Sequence, residues 1–338
     1  SGAANTAVGT NALLANTTGG NNVAVGAASM FYNTEGDQNT AVGRDALYSN
    51  TTANYNVGLG YQALYANTTG ANNVAVGWRS LDTNTTADNN TAVGYFTLQA
   101  NTTGDKNIAI GAYSLDSNTT GSNNTGVGQN SLGTNSTGNN NSALGQLALY
   151  LNTTGSQNTA VGNQALYANT TASSNTAVGS VALAANTSGG DNVAIGAQAL
   201  DSNTTADNNV AVGRSALSAN TTGTANTAVG KDALLANTTA NYNVAIGKDT
   251  LQANTTGNSN TAVGAFALDA NTTASNNTAV GVNALSSCTT GNKNTGIGYG
   301  ACDAVTTGVD NTGLGYSAVG SVDTGNYNIG IGRNAVNS

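Results

Sequence analysis

A glycine stands at every seventeenth position from Gly9 to Gly332, twenty times in succession without one insertion or deletion. Each closes the same short phrase: Asn5-Thr6-Ala7-Val8-Gly9 returns as Asn22-Val23-Ala24-Val25-Gly26, then at residues 39–43, and so on to residues 328–332. A unit of 17 residues is too small to bury a face alone, so such units are stable only when stacked on their neighbours. An unbroken register leaves no place for a boundary between globular domains. Residues 1–338 therefore read as a single β-solenoid rod of twenty 17-residue repeats, a piece of a longer fibre.

Composition alone would suggest something else. Asn, Thr, Ala and Gly dominate, with only 7% charged and 5% aromatic residues, a bias shared by disordered polar tracts. The phase-locked Val and Leu exclude that reading, because a disordered chain has no reason to hold a branched apolar residue at one phase over twenty repeats.

Numbering each rung from its Asn, slots 2 to 4 read Thr/Val, Ala/Gly, Val/Ile/Leu, as in Thr40-Ala41-Val42 and Ile108-Ala109-Ile110. The residue types predict a short β-strand restricted on both faces and so buried on both. Gly at slot 5 predicts a corner with positive φ or a close backbone approach. Slots 6 and 7 vary freely, as in Arg44-Asp45 and Lys231-Asp232, and are expected in solvent. A second short strand is expected over slots 8 to 11, as in Ala63-Leu64-Tyr65-Ala66. On this reading slots 4 and 9 are the two apolar ladders of the core, with Val93 and Leu98 nearly solvent-free. Slots 12 to 15, Asn-Thr-Thr-Gly/Ala, predict a polar corner. The Asn residues of slots 1 and 12 are expected to form amide ladders along the stack. The absence of Pro suits a continuous backbone ladder, and twenty rungs at about 4.8 Å would extend roughly 95 Å.

The rung N-T-A-V-G-x-x-A-L-x-A-N-T-T-G-x-x resembles the head repeats of trimeric autotransporter adhesins, which carry a similar N-S-x-A-[IV]-G strand, a small-residue strand and a Gly turn. It is also similar to repeats of tail-fibre-like proteins of phages and bacteria. The resemblance spans all twenty rungs and departs from the adhesin pattern by three additional residues per rung. It implies a left-handed parallel β-roll, three chains side by side about a common axis, and a role as a surface adhesin or fibre shaft. The residues add a reason of their own, since a strand apolar on both faces asks for a partner surface; a single coil burying both faces is the alternative.

Chemistry is sparse. The chain has no His, so His-based triads and His metal ligands are excluded. Asp82, Asp116, Asp201 and Asp269 at slot 10 are too dispersed for a paired acid and base. Neither a phosphate loop nor a calcium-binding repeat is present, and no cofactor or metal is implied. With eight basic and sixteen acidic residues the net charge is −8, which leaves no basic stripe for nucleic acid. No run of 18 apolar residues marks a membrane span, and no leader opens the segment. Cys288 and Cys302, at slots 12 and 9 of consecutive rungs, are candidates for a disulfide, with two separate thiols as the alternative.

Two surface patterns remain. Tyr61, Trp78 and Tyr95 fill slot 6 in three successive rungs, and Phe31, Tyr48 and Tyr65 fill slot 10 in three overlapping ones. In register they would form an aromatic strip for sugar rings or another apolar surface, or merely cover the thin core. The slot 12 Asn residues, Asn33 excepted, also satisfy the Asn-x-Ser/Thr rule, which a repeated corner motif explains without any glycan. Together these features predict a non-enzymatic structural and adhesive fibre at the cell surface, self-associating as a homotrimer and binding surface glycans or matrix proteins. A phage tail-fibre shaft on a virion is the alternative. An ice-binding solenoid using the Thr ladders of slots 13 and 14 is a third, in which only one of each adjacent Thr pair would reach ice.

Overall fold

A computed structural model of the chain describes residues 2–336. Every described element is a three-residue β-strand at slots 2 to 4, from β1 (Thr6–Val8) to β20 (Ile329–Ile331), with no helix among them. The chain divides into two compact units, Ser1–Ala172 with β1 to β10 and Ser173–Ser338 with β11 to β20. Within each unit every strand pairs with the next in parallel and in register, so that Thr91, Ala92 and Val93 (β6) lie against Ile108, Ala109 and Ile110 (β7). In the second unit Val244, Ala245 and Ile246 (β15) lie likewise against Thr261, Ala262 and Val263 (β16). The architecture is a parallel β-solenoid with one coil per 17 residues.

The expected core is corrected in one of its two ladders. Leu at slot 9 is fully buried from Leu47 to Leu285, Leu98 included, but on the strand it is slot 3 that faces inward: Ala92, Ala109 and Ala245 have no exposed surface. Slots 2 and 4 point outward. Val93 is only half-buried, while Val42 and Ile110 are about two-fifths exposed. The reason is the period-2 alternation of a strand. Slot 3 shares its face with neither neighbour, and a coil this narrow has room inside for Ala or Gly but not for two columns of branched side chains.

The second expected strand is absent. Slots 8 to 11 form a chain of turns in which slots 7 and 9 take left-handed φ values, for example 57° at Asp45 and 50° at Leu47. Such a conformation costs an ordinary residue about 1 kcal/mol. Two gains offset it at slot 9: the Leu side chain enters the core, worth about 1.5–3 kcal/mol, and its N–H donates to the next coil (Leu47 N to Ala63 O, 2.9 Å). At slot 7 the N–H points the other way, Asp45 N donating to Ala27 O at 3.0 Å. The backbone thus ties both adjacent coils together without strand geometry. Gly at slot 5 is required as expected: Gly128 has φ 135°, and a Cβ there would lie 2.5 Å from the Gly145 carbonyl oxygen.

The remainder of the core is polar. Within one coil, Asn56 Nδ2 and Asn67 Nδ2 both donate to the Gly70 carbonyl at 2.8 and 2.9 Å, so slots 1 and 12 grip slot 15 and close the ring. Between coils, Asn67 Nδ2 also donates to Asn50 Oδ1 at 3.1 Å, and the Asn73 N–H donates to Asn56 Oδ1 at 2.9 Å. The second unit repeats the pattern with Asn243 and Asn254 on Gly257. The expected amide ladders form, and they lie inside the coil.

The slot 12 ladder stops at Asn271, whose Oδ1 is buried without a partner because Cys288 takes the next rung. An orphaned buried acceptor costs about 1–3 kcal/mol. Asn237→Val should lose that much in chemical denaturation, since it strips Asn220 Oδ1 of its donor in mid-ladder. Asn271→Val only moves the orphan back to Asn254, and should cost distinctly less. Equal losses would show that the ladder does not act as a chain of paired amides.

Candidate functional site

The stacking of coils brings equal slots into columns, and this places the sequence-predicted aromatic residues. Phe31, Tyr48 and Tyr65 form a continuous stack, with ring centroids 5.3 and 5.1 Å apart and planes within 21°. Tyr32, at slot 11 and missed in the sequence, stands edge-on to Phe31 and Tyr48. The slot 6 column behaves differently. Tyr61 packs on Trp78 at 4.4 Å with the planes tilted by 32°, whereas Tyr95 packs edge-on against Phe96 at 4.4 Å and Tyr113 at 5.5 Å. Phe96 and Tyr113 belong to slot 7 and stack on each other at 6.0 Å. They fill one slot in consecutive rungs, the same signal that revealed the slot 6 and slot 10 columns.

The two columns belong to one face. Arg44 lies over the Tyr61 ring at 5.9 Å and its Nε is 3.3 Å from Asp45, which in turn neighbours Tyr48. Arg79 lies over Phe96 at 5.4 Å while its Nε meets Asp82 at 2.6 Å, joining slot 7 to slot 10. Each arginine is thus neutralised by an aspartate of its own rung. Lys231 with Asp232 and Lys248 with Asp249 repeat the pairing in the second unit, both at 2.8 Å. Smaller aromatic pairs occur at Tyr150 with Tyr167 and at Tyr299 with Tyr316.

Other candidate positions are occupied by structure. Cys288 and Cys302 are buried free thiols, not a disulfide; Cys288 Sγ donates to the Gly291 carbonyl at 3.2 Å. Burial pushes their thiols up to about 11 and about 12, so neither is primed as a nucleophile. The Asn-Thr-Thr asparagines from Asn50 to Asn271 are buried with their Nδ2 atoms committed to the ladder where those bonds are described, so a glycan there would break the coil. Of the two Thr ladders, slot 13 is spent on the next coil (Thr51 Oγ1 to Thr68 O, 3.1 Å), and slot 14 is exposed. Among the described residues there is no cavity, no cluster of three or more metal-ligating acids or cysteines, and no helix long and apolar enough to cross a membrane.

With the geometry in view, comparison adds no relative: neither a protein-family model nor a curated protein sequence matches the chain.

The slot 10 aspartates carry the one shared electrostatic feature. Burial raises the carboxyls of Asp82, Asp116, Asp201, Asp269 and Asp303, with Asp116 reaching about 6. At Asp82 the Arg79 guanidinium opposes this without cancelling it. A carboxyl whose folded value exceeds its unfolded one stabilises the fold when protonated, and that contribution is lost as pH rises through the folded value. Thermal stability should therefore rise as pH falls from 7 to 5. Asp116→Asn combined with Asp201→Asn and Asp269→Asn should raise the melting temperature at pH 7 and flatten the profile; a variant with the wild-type slope would show that these groups titrate normally.

Proposed function

We propose that the chain is a structural and adhesive component of an extracellular surface fibre, and that its exposed strand face is covered by further copies of itself in a parallel homotrimer. The observation that carries this is the apolar column on the outside of each unit. Slot 4 is Val, Ile or Leu in every rung, and Val42, Ile110, Leu144, Ile195, Ile246 and Leu314 are each at least two-fifths exposed in the single chain. Apolar side chains repeated on an open, regular sheet face invite association. A closed arrangement about a threefold axis buries the same face of every chain and leaves none over. Slots 6, 7 and 10, where the residue type drifts, would remain outside to meet other molecules.

A non-enzymatic role agrees with the flat surface and the scattered carboxylates. The resemblance of the rung to adhesin head repeats points the same way, with the three additional residues per rung read as the Asn-Thr-Thr stretch. Cell-surface and virion fibres would share this shaft, and the gene regions flanking these repeats would separate them: a membrane anchor for the former, a baseplate attachment for the latter.

Two neighbouring substitutions test the assignment. Leu98→Asp places a carboxylate in the dry interior and should unfold its unit, since an unpaired buried charge is strongly disfavoured. Val93→Asp lies on the outer face and should leave the circular dichroism spectrum intact while weakening self-association, seen in light scattering as a fall in mass at higher concentration than for the wild type. A wild-type protein of one-chain mass at micromolar concentration would refute the trimer.

A further inference from the structure

We infer that the aromatic face of the first unit, centred on Trp78, binds a neutral glycan chain lying flat across it. This supplies a ligand for the adhesive part of the reading above, but it rests on slots 6, 7 and 10 and not on the strand face. The two ideas therefore fail separately.

The rings are not needed by the fold. Slot 6 is Ala112, Ala197 and Ala265 in other rungs, and slot 10 is Gly133 and Ala184, all within the same coil geometry. Their concentration between Phe31 and Tyr113 is therefore a local addition to a scaffold that stands without it. Three of them are open to solvent by nearly half: Tyr32 at 47%, Trp78 at 49% and Tyr95 at 45%. The stacked rings, Tyr48 above all, spend their faces on each other and present mainly edges. Trp78 differs, because among the described residues Tyr61 is its one ring partner and about half of the residue stays in solvent. A half-exposed indole with so little of its surface spent on other rings offers apolar area for the axial C–H groups of a pyranose.

Charge and shape select the ligand class. Arg44 and Arg79 are paired with Asp45 and Asp82, so the face is locally neutral on a chain of net charge −8. Sulfated or carboxylated polymers and nucleic acid thus find no cationic surplus here. The described residues form no pocket to enclose a small molecule, and a Pro-rich peptide would need an aromatic groove. What remains is an extended neutral polymer held by ring stacking, with tyrosine O–H groups on the same face to meet its hydroxyls.

Trp78 is the chain's only tryptophan, so its fluorescence reports on this face alone. The intact 338-residue chain would be titrated with hexasaccharides of β-glucan, chitin, mannan and galactan, and with heparin as the anionic control. At least one neutral series should shift Trp78 emission saturably, with an affinity unchanged between low and high salt. By calorimetry, Trp78→Ala should weaken that ligand about tenfold or more with an unaltered melting temperature, while Tyr299→Ala in the second unit should do nothing. The proposal is overturned if no neutral hexasaccharide binds at millimolar concentration. Binding of heparin alone, abolished by salt, would overturn it too, as would a Trp78→Ala variant of undiminished affinity. Repeating the titration at a dilution where light scattering returns one-chain mass separates it from self-association, because a dissociated chain retains the site.

Discussion

Everything in this molecule depends on the convergence of two asparagine amides on one carbonyl. In every coil as far as Asn271 the slot 1 and slot 12 side chains donate to the slot 15 oxygen, as Asn90 and Asn101 do to Gly104 at 2.9 and 3.0 Å. That contact turns 17 residues into a closed loop. The same amides then reach the adjacent coil, so one residue type both closes the ring and stacks it. A buried polar group is costly unless satisfied, and here each Asn is satisfied only if its neighbours in the column are Asn as well. Register is enforced by this requirement: a rung shifted by one residue would leave a row of amides unpaired in a dry interior.

An interior made of amide columns, Ala and one Leu per coil is narrow, and its narrowness decides what the surface looks like. Only the smallest strand residue fits inward, so the branched residues that flank it are turned out. Apolar surface is therefore not a defect of individual rungs but a consequence of the coil's cross-section. Slots 6, 7 and 10 carry no such constraint. Ala, Arg, Trp or Tyr at slot 6 leave the backbone unchanged, because the left-handed turn at slot 7 is held by a bond from main chain to main chain. Two kinds of surface result, one uniform and apolar along each unit, the other free to differ from rung to rung.

The aspartates of slot 10 show the cost of decorating so thin a body. A side chain at that position lies partly over the core, and a carboxylate there loses water without gaining a full set of partners, as the orphaned Oδ1 atoms of Asp201 and Asp269 show. Aromatic residues suit the same position better, since stacking on the next rung replaces the lost hydration. Phe31, Tyr48 and Tyr65 use it in this way.

Periodicity alone made the solenoid legible, together with its parallel register, the Gly corner at slot 5, the buried Leu of slot 9 and the amide columns, because each follows from one residue type recurring at one phase. The aromatic columns were legible for the same reason, as far as they kept to a single slot; Tyr32 and Phe96 joined them only through contacts between neighbouring slots. Two features were decided by tertiary structure. Whether slot 3 or slots 2 and 4 faced inward depended on the width of the coil, which no strand pattern encodes when both faces are apolar. Left-handed Asp45 and Leu47 carry no Gly or Asn signal. Their conformation is imposed by N–H groups that must donate alternately to the coil before and the coil after, a demand that exists only once the coils are stacked.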